Sequence, residues 1–566
     1  MKNSEKIILY QVFPRWFGNR CSDCVKNGTL HENGVGKFSD FTPKALEAIK
    51  ELGTTHIWYT GVIEHATQTV YSAYGIGKDH SAIVKGKAGS PYAIKDYYDV
   101  DPDLANDVNN RMKEFEELVE RTHAAGLKVI IDFVPNHVAR QYASDAKPIY
   151  VADLGQQDNT NKAFDPDNNF YYLPGQTLSL YFQPLEEACE YTEFPAKATG
   201  NDRFTDAPDQ SDWYETVKLN YGIDYVNGRT CYFDPVPDTW KKMRDILLFW
   251  ASKGVDGFRC DMAEMVPVQF WGWVIPQIKQ AHDVLFIAEI YNPAEYRNYL
   301  QTGKFDYLYD KVGLYDTLRG VICGSIAAHE LTRCWQQLEG IQHQMLNFLE
   351  NHDEQRLASD FFAGDARKGI AGMIVAATMN SNPVMIYAGQ ELGERGMDEE
   401  GFSGCDGRTT IFDYWSVKSI RNWVNGGKFD NKKLTPEQTA LRAQYAALLH
   451  LIKNEPAIRD GSFYDLMYAN PSSQHFNSRT QYTFLRKYRN EVILVVANFG
   501  PSVQKVRINI PAEAFHSLGF EDNKPAVVTD LLTGESGIGT LTEVWPYQLN
   551  LPAHGGRILK FTYIEE

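Results

Sequence analysis

Four segments of this chain end in residues able to do acid–base or nucleophilic chemistry. Asp132-Phe133-Val134-Pro135-Asn136-His137 closes one apolar run, and Gly257-Phe258-Arg259-Cys260-Asp261 closes another. Leu285-Phe286-Ile287-Ala288 ends on Glu289, and Phe348-Leu349-Glu350-Asn351 leads into His352-Asp353. Residues two apart on a strand share a face, so Arg259 and Asp261 lie side by side. A guanidinium there favours the ionised carboxylate, the form a nucleophile needs. Glu289 ends an apolar run, a setting that suits proton donation near neutrality. A retaining glycosidase needs two such carboxyls about 5–5.5 Å apart. A third acid and two imidazoles can then hold the hydroxyls of a distorted sugar ring. Glu350 precedes the His-Asp pair and is expected to support the strand end.

These residues need a frame that brings several strand ends together. Buried strands are expected at 7–13, 56–59, 127–133, 255–260, 284–288, 305–309, 345–349 and 384–387. Helices are expected at 43–52, 109–125, 239–252, 268–281, 326–338, 367–379 and 436–451. Thr42 and Asp238 read as N-caps, Gly53, Gly126 and Gly254 as stops, and Thr435 to Gln438 as a capping box. About eight strand–helix pairs predict an α/β fold, a closed (β/α)8 TIM barrel whose functional residues sit at the strand C-termini. The barrel is assigned to residues 1–137 and 221–460. Residues 138–220 are polar and aperiodic, and read as a small inserted domain after the third strand. Residues 461–566 read as a C-terminal antiparallel β-sandwich domain, with strands near 482–487, 491–498, 503–510, 527–532 and 557–563.

Composition narrows the function. The chain has 566 residues, 73 acidic against 56 basic, and a net charge of −17. That balance, with no basic run, excludes nucleic acid and anionic membrane as expected partners. No apolar stretch approaches the ~20 residues of a membrane span, and the N-terminus lacks a signal-like core, so a cytoplasmic location is expected. Eight irregularly spaced cysteines do not form a disulfide framework, and Cys21-x-x-Cys24 reads as an incidental loop pair of reduced thiols. Aromatic residues reach 13 %, which serves large cores or the apolar faces of sugars.

The order Asp132–His137, Gly257–Asp261, Glu289 and His352-Asp353 resembles the four signature regions of the α-amylase family of glycoside hydrolases. The resemblance covers nearly the whole chain. It implies Asp261 as nucleophile, Glu289 as general acid/base and Asp353 as transition-state stabiliser. It makes Arg259, His137 and His352 sugar ligands, and makes Tyr92, in Ser90-Pro91-Tyr92-Ala93, the ring that stacks on the sugar. The implied substrate is an α-1,4-linked starch-derived glucan or maltooligosaccharide, with 4-α-glucanotransferase or α-glucosidase action as alternatives. A non-catalytic glucan-binding protein is the reading from a different class.

Three departures from the family pattern bear on specificity. Glu264-Met265 replaces the Lys-His pair of calcium-dependent α-amylases, and Ala93 stands where exo-acting α-glucosidases carry an Asp. Lys218 occupies the place of a calcium-binding Asp opposite Asn136, which points to the maltodextrin- and neopullulanase-like members. No cofactor is therefore expected and no metal ligands are assigned. Calcium has one remaining place, a loop near Asn19 and Asp23.

Overall fold

The computed structural model describes residues 6–182 and 191–563. Cys189 and the first five residues of the targeting reading lie outside them. Eight parallel strands form one sheet: β1 Ile8–Val12, β2 His56–Tyr59, β3 Lys128–Phe133, β4 Gly257–Cys260, β5 Leu285–Ala288, β6 Tyr307–Tyr309, β7 Met345–Leu346 and β8 Val384–Tyr387. Their order is β7-β6-β5-β4-β3-β2-β1-β8, and a parallel bridge from Asn347 to Val384 closes the ring. The chain is a (β/α)8 barrel.

Side-chain alternation sorts each strand into two faces. Leu9, Trp58, Ile130, Ile287, Tyr309, Leu346 and Met385 meet inside the barrel. Their neighbours Ile8, Tyr10, Ile57, Val129, Ile131, Phe258 and Phe286 join the outer core under the helices. Two residues beyond an inward position is inward again. Gln11, Asp132 and Glu289 therefore follow Leu9, Ile130 and Ile287 onto the rim. In register, Arg259 lies level with Asp132 and Ile287.

The ring of helices follows the sequence periodicity except at Tyr296–Gln301 and Asp316–Ile322, two short helices that the pattern did not reveal. It comprises α1 Pro43–Lys50, α2 Arg111–Ala124, α3 Asp238–Ser252, α4 Val268–Ala281, α5 Tyr296–Gln301, α6 Asp316–Ile322, α7 Gly369–Thr378 and α8 Pro436–Asn454. Thr42 caps α1 by accepting from the Ala45 amide, and both bonds of the Thr435–Gln438 capping box are made at α8. Gly53 holds φ +104°, and a Cβ there would press on Leu449 of α8 at 2.9 Å. Asp238 differs from its expected role. It is the first residue of α3, behind Pro237, and its carboxylate is drawn away from the helix end by Lys242 at 2.9 Å and the Asn169 amide at 3.0 Å. The expected helix at 326–338 is a short turn at Ala328–Glu330 followed by Leu331–Gln337.

Two excursions leave the barrel's C-terminal face. After β2, strands Ile63–His65 and Ile94–Val100 pair antiparallel, an element that sequence periodicity did not reveal. After β3 comes the insertion, built on His137–Ala139 with Thr216–Lys218 and Tyr172–Leu173 with Ala196–Lys197. The C-terminal region carries a six-stranded antiparallel sheet from Ser462–Asp465 to Ser536–Thr540, with Gln504–Ile508 and Tyr547–Leu551 paired beside it. Ser536–Thr540 escaped the pattern reading because Ser-Gly-Ile-Gly-Thr has no apolar alternation. Among the described residues, no helix is long and apolar enough to cross a membrane.

Candidate active site

Arg259 organises the cleft. It is fully buried, and Nη1 meets Asp261 Oδ1 at 2.8 Å and Asp132 Oδ1 at 3.2 Å. Nη2 touches Glu289 Oε2 at 2.8 Å, and Nε donates to the Tyr309 hydroxyl at 3.2 Å. Its guanidinium also lies over the rings of Trp58, Tyr92 and Tyr309, within 5.5 Å of each. Such a planar fork fixes several acids relative to one another, which a lysine would not do.

Each acid has further restraints. Asp132 accepts from Trp58 Nε1 at 2.8 Å and faces the Tyr92 hydroxyl at 3.4 Å. Glu289 accepts from the Met262 amide at 2.7 Å and the Tyr291 hydroxyl at 2.6 Å. Asp353 is more open, with 41 % of its side chain exposed, and its Oδ2 lies 3.2 Å from His352 Nε2. The amides of Asp353 and Glu354 donate to Asn351 Oδ1, both at 2.9 Å.

The two histidines are held neutral. His352 Nε2 pairs with the Tyr92 hydroxyl at 2.6 Å and Nδ1 with the Gln11 amide at 2.8 Å, under the edge of Trp58. Burial, with Arg259 nearby, pushes its pKa well below the usual value. Burial and the cations Lys218 and Lys85 bring His137 down to about 3. His137 packs against Trp213 at 5.2 Å and reaches the backbone of Tyr92. Neutral imidazoles can donate to and accept from hydroxyls without adding charge to the cleft.

All seven residues singled out from the sequence, Tyr92, His137, Arg259, Asp261, Glu289, His352 and Asp353, thus meet in one cleft. One expectation needs correction. Arg259 does not by itself keep Asp261 ionised in the free cleft. Burial pushes the Asp261 carboxyl well above its usual range, against Arg259, and Glu289 and Asp353 add repulsion. Asp132 rises to about 6 for the same first reason. One guanidinium is shared by three carboxyls, so it cannot fully offset the cost of burying all of them as carboxylates.

Four contributors were missed: Gln11, Trp58, Tyr309 and Tyr291. The first three sit at inward positions near strand ends, so barrel register would have found them. Tyr291 lies two residues beyond Glu289, a weaker signal outside any strand. Glu350 does support the strand end, accepting from Arg356 Nη1 at 3.0 Å and the Leu357 amide at 2.7 Å.

The place beside the insertion does not fit a cation. Lys218, nearly fully buried, donates to Asn136 Oδ1 at 2.9 Å and pairs with Asp202 at 2.5 Å. Nor does the Asn19 loop fit one. Asn19 donates to the carbonyls of Asn33 and Trp415, and its oxygen accepts from the Cys21 amide.

Comparison with known proteins gives a consistent result. The family model for the alpha-amylase catalytic domain matches residues 11–460. The chain is 24 % identical to alpha-amylase 3 of Dictyoglomus thermophilum over 80 % of this chain and 78 % of that one. It is 22 % identical to neopullulanase 2 of Thermoactinomyces vulgaris over 98 % of this chain and 78 % of that one. The crystal structure of a maltogenic alpha-amylase, AmyB of Thermotoga neapolitana, superposes with a TM-score of 0.63 at 19 % identity, covering 99 % of this chain and all of that one.

Proposed function

We propose, because this chain belongs to the alpha-amylase family of glycoside hydrolases, that it cleaves α-1,4-glucosidic bonds in maltooligosaccharides with retention, through a covalent glycosyl-enzyme. The observation that carries this reading is the single guanidinium of Arg259, in contact with both Asp261 and Glu289 at 2.8 Å. Two carboxyls gathered on one side chain favour the ~5–5.5 Å spacing of retaining enzymes over the ~6.5–9.5 Å of inverting ones.

In this reading Asp261 attacks the anomeric carbon while Glu289 protonates the departing oxygen, then deprotonates the incoming water. With Glu289 protonated as the acid, carboxylate charge on Asp132 and Asp261 suits a cationic, oxocarbenium-like transition state better than a neutral sugar, and so lowers the barrier. Tyr92, His137, His352 and Asp353 hold the ring in the cleavage subsite. Ala93 is buried against Ala66, Val84 and Ala139, which leaves no polar grip for a chain end there and disfavours strict α-glucosidase action.

Product analysis over time tests the reading. Maltoheptaose, amylose and cyclodextrin are expected to yield short maltooligosaccharides, and pullulan short products that retain an α-1,6 link, all with α-anomeric configuration at first release. β-Anomeric products would overturn retention. Products longer than the substrate, accumulating in preference to hydrolysis, would favour the glucanotransferase alternative.

A second expectation concerns metal. A hard cation wants about six to eight oxygen ligands, and the Lys218 ammonium would repel it. EDTA is expected to leave turnover at room temperature within about twofold, since no step of this mechanism passes through a cation. Activity lost to EDTA and restored by calcium would refute that.

A further inference from the structure

Glu64 lies outside the catalytic cleft and is 1 % exposed, yet neither of its carboxylate oxygens has a hydrogen-bond partner among the described residues. It sits on the Ile63–His65 strand directly opposite Asp96 of Ile94–Val100. Like charges placed opposite each other across a strand pair are destabilising. Asp99 of the same strand and Asp145 of the insertion complete a group of four. One oxygen from each lies within 4.8 Å of the others.

The surrounding cations neutralise this group only in part. Lys95 is engaged with Asp79 at 2.9 Å. Arg111 serves Asp99 at 2.5 Å and Asp145 at 3.4 Å, and does not reach Glu64 or Asp96 within ion-pair distance. Asp96 is oriented by Tyr98, Ser144, Asp145 and Ala146, all donating to it. Those bonds keep it in place as a carboxylate facing Glu64.

We propose that Glu64, Asp96, Asp99 and Asp145 bind a hard divalent cation of calcium's size. Calcium–oxygen distances of about 2.3–2.6 Å make the ligand shell about 4.6–5.2 Å across, wide enough to hold oxygens that all lie within 4.8 Å of one another. Magnesium dehydrates reluctantly and is usually held by one or two carboxylates, so a cluster of four favours calcium. Asp145 is the exposed member and gives the ion access from solvent. The bound ion ties the strand that follows Tyr92 to the start of the insertion, so its role is structural.

The test uses the full chain, stripped with EDTA and titrated with CaCl2 or MgCl2. Calcium is expected to bind with one equivalent at this site and to raise Tm by a few degrees at about 100-fold excess over Kd, with magnesium weaker. Glu64→Gln is expected to abolish that response. Asp145→Asn, at an exposed position that leaves the core intact, is expected to weaken calcium binding by at least about tenfold, since site affinity follows ligand charge. No calcium response in the wild-type chain would overturn the proposal and leave Glu64 as a buried protonated acid. An unchanged response in Asp145→Asn would overturn it as well.

Discussion

Asp261→Asn is expected to lower kcat on maltoheptaose by at least about four orders of magnitude, because the covalent step depends on a carboxylate an amide cannot replace. Its effect on stability should be opposite in kind. Asp261 shares Arg259 with Asp132 and Glu289, and burial already pushes its carboxyl upward. Removing one negative charge leaves Arg259 paired and relieves repulsion among the acids. Tm is therefore expected to hold or rise, the trade-off of an active site built against stability. Kinetics and thermal melting of the purified variant check both halves. Turnover within tenfold of wild type would dismiss the nucleophile assignment, and a collapse of the fold would make Asp261 a structural residue.

The second large effect belongs to Glu289→Gln, and its signature is dependence on the leaving group. On maltooligosaccharides the loss should reach about 10²–10⁴-fold, the usual worth of general acid–base catalysis. An α-glucosyl fluoride departs without protonation, so its glycosylation burst should survive in the variant. Pre-steady-state measurement on both substrates separates the steps. Equal losses on the two would mean that Glu289 positions groups without transferring a proton. Met262 and Tyr291 donate to different oxygens of Glu289, so the glutamine oxygen can keep the Met262 bond while its amide nitrogen donates to the Tyr291 hydroxyl, which keeps the comparison chemical.

Much of this was legible in the sequence, for an identifiable reason. Barrel strands are buried on both faces, so 127–133 and 284–288 read as largely apolar runs whose closing acids, Asp132 and Glu289, mark the rim. The site followed because chemistry sits at that rim. What escaped was whatever depends on partners distant in the chain. The hairpin of Ile63–His65 and Ile94–Val100 has 28 residues between its strands and shows no turn signature. Asp238 reads as a cap by local rules, but Lys242 and Asn169 claim its carboxylate. Arg259 beside Asp261 suggested a simple ion pair, and only the register of β3, β4 and β5 reveals that the same guanidinium serves three acids.

The closure of the barrel at β7 bears on how such a cleft can diversify. β7 pairs over two residues, and a single bridge at Asn347 joins it to β8. Beyond it the chain up to Asp353 is anchored by side chains, Glu350 on Arg356 and Asn351 on two amides. Heritable change therefore meets the two halves of the cleft differently. Loss of Arg259 itself would strip three acids on adjacent strands of their shared partner and is expected to cost the fold. A substitution in the 350–356 segment shifts how the third acid and its histidine meet the sugar while the barrel stands. That seam is where a lineage can try new substrates without first giving up its fold.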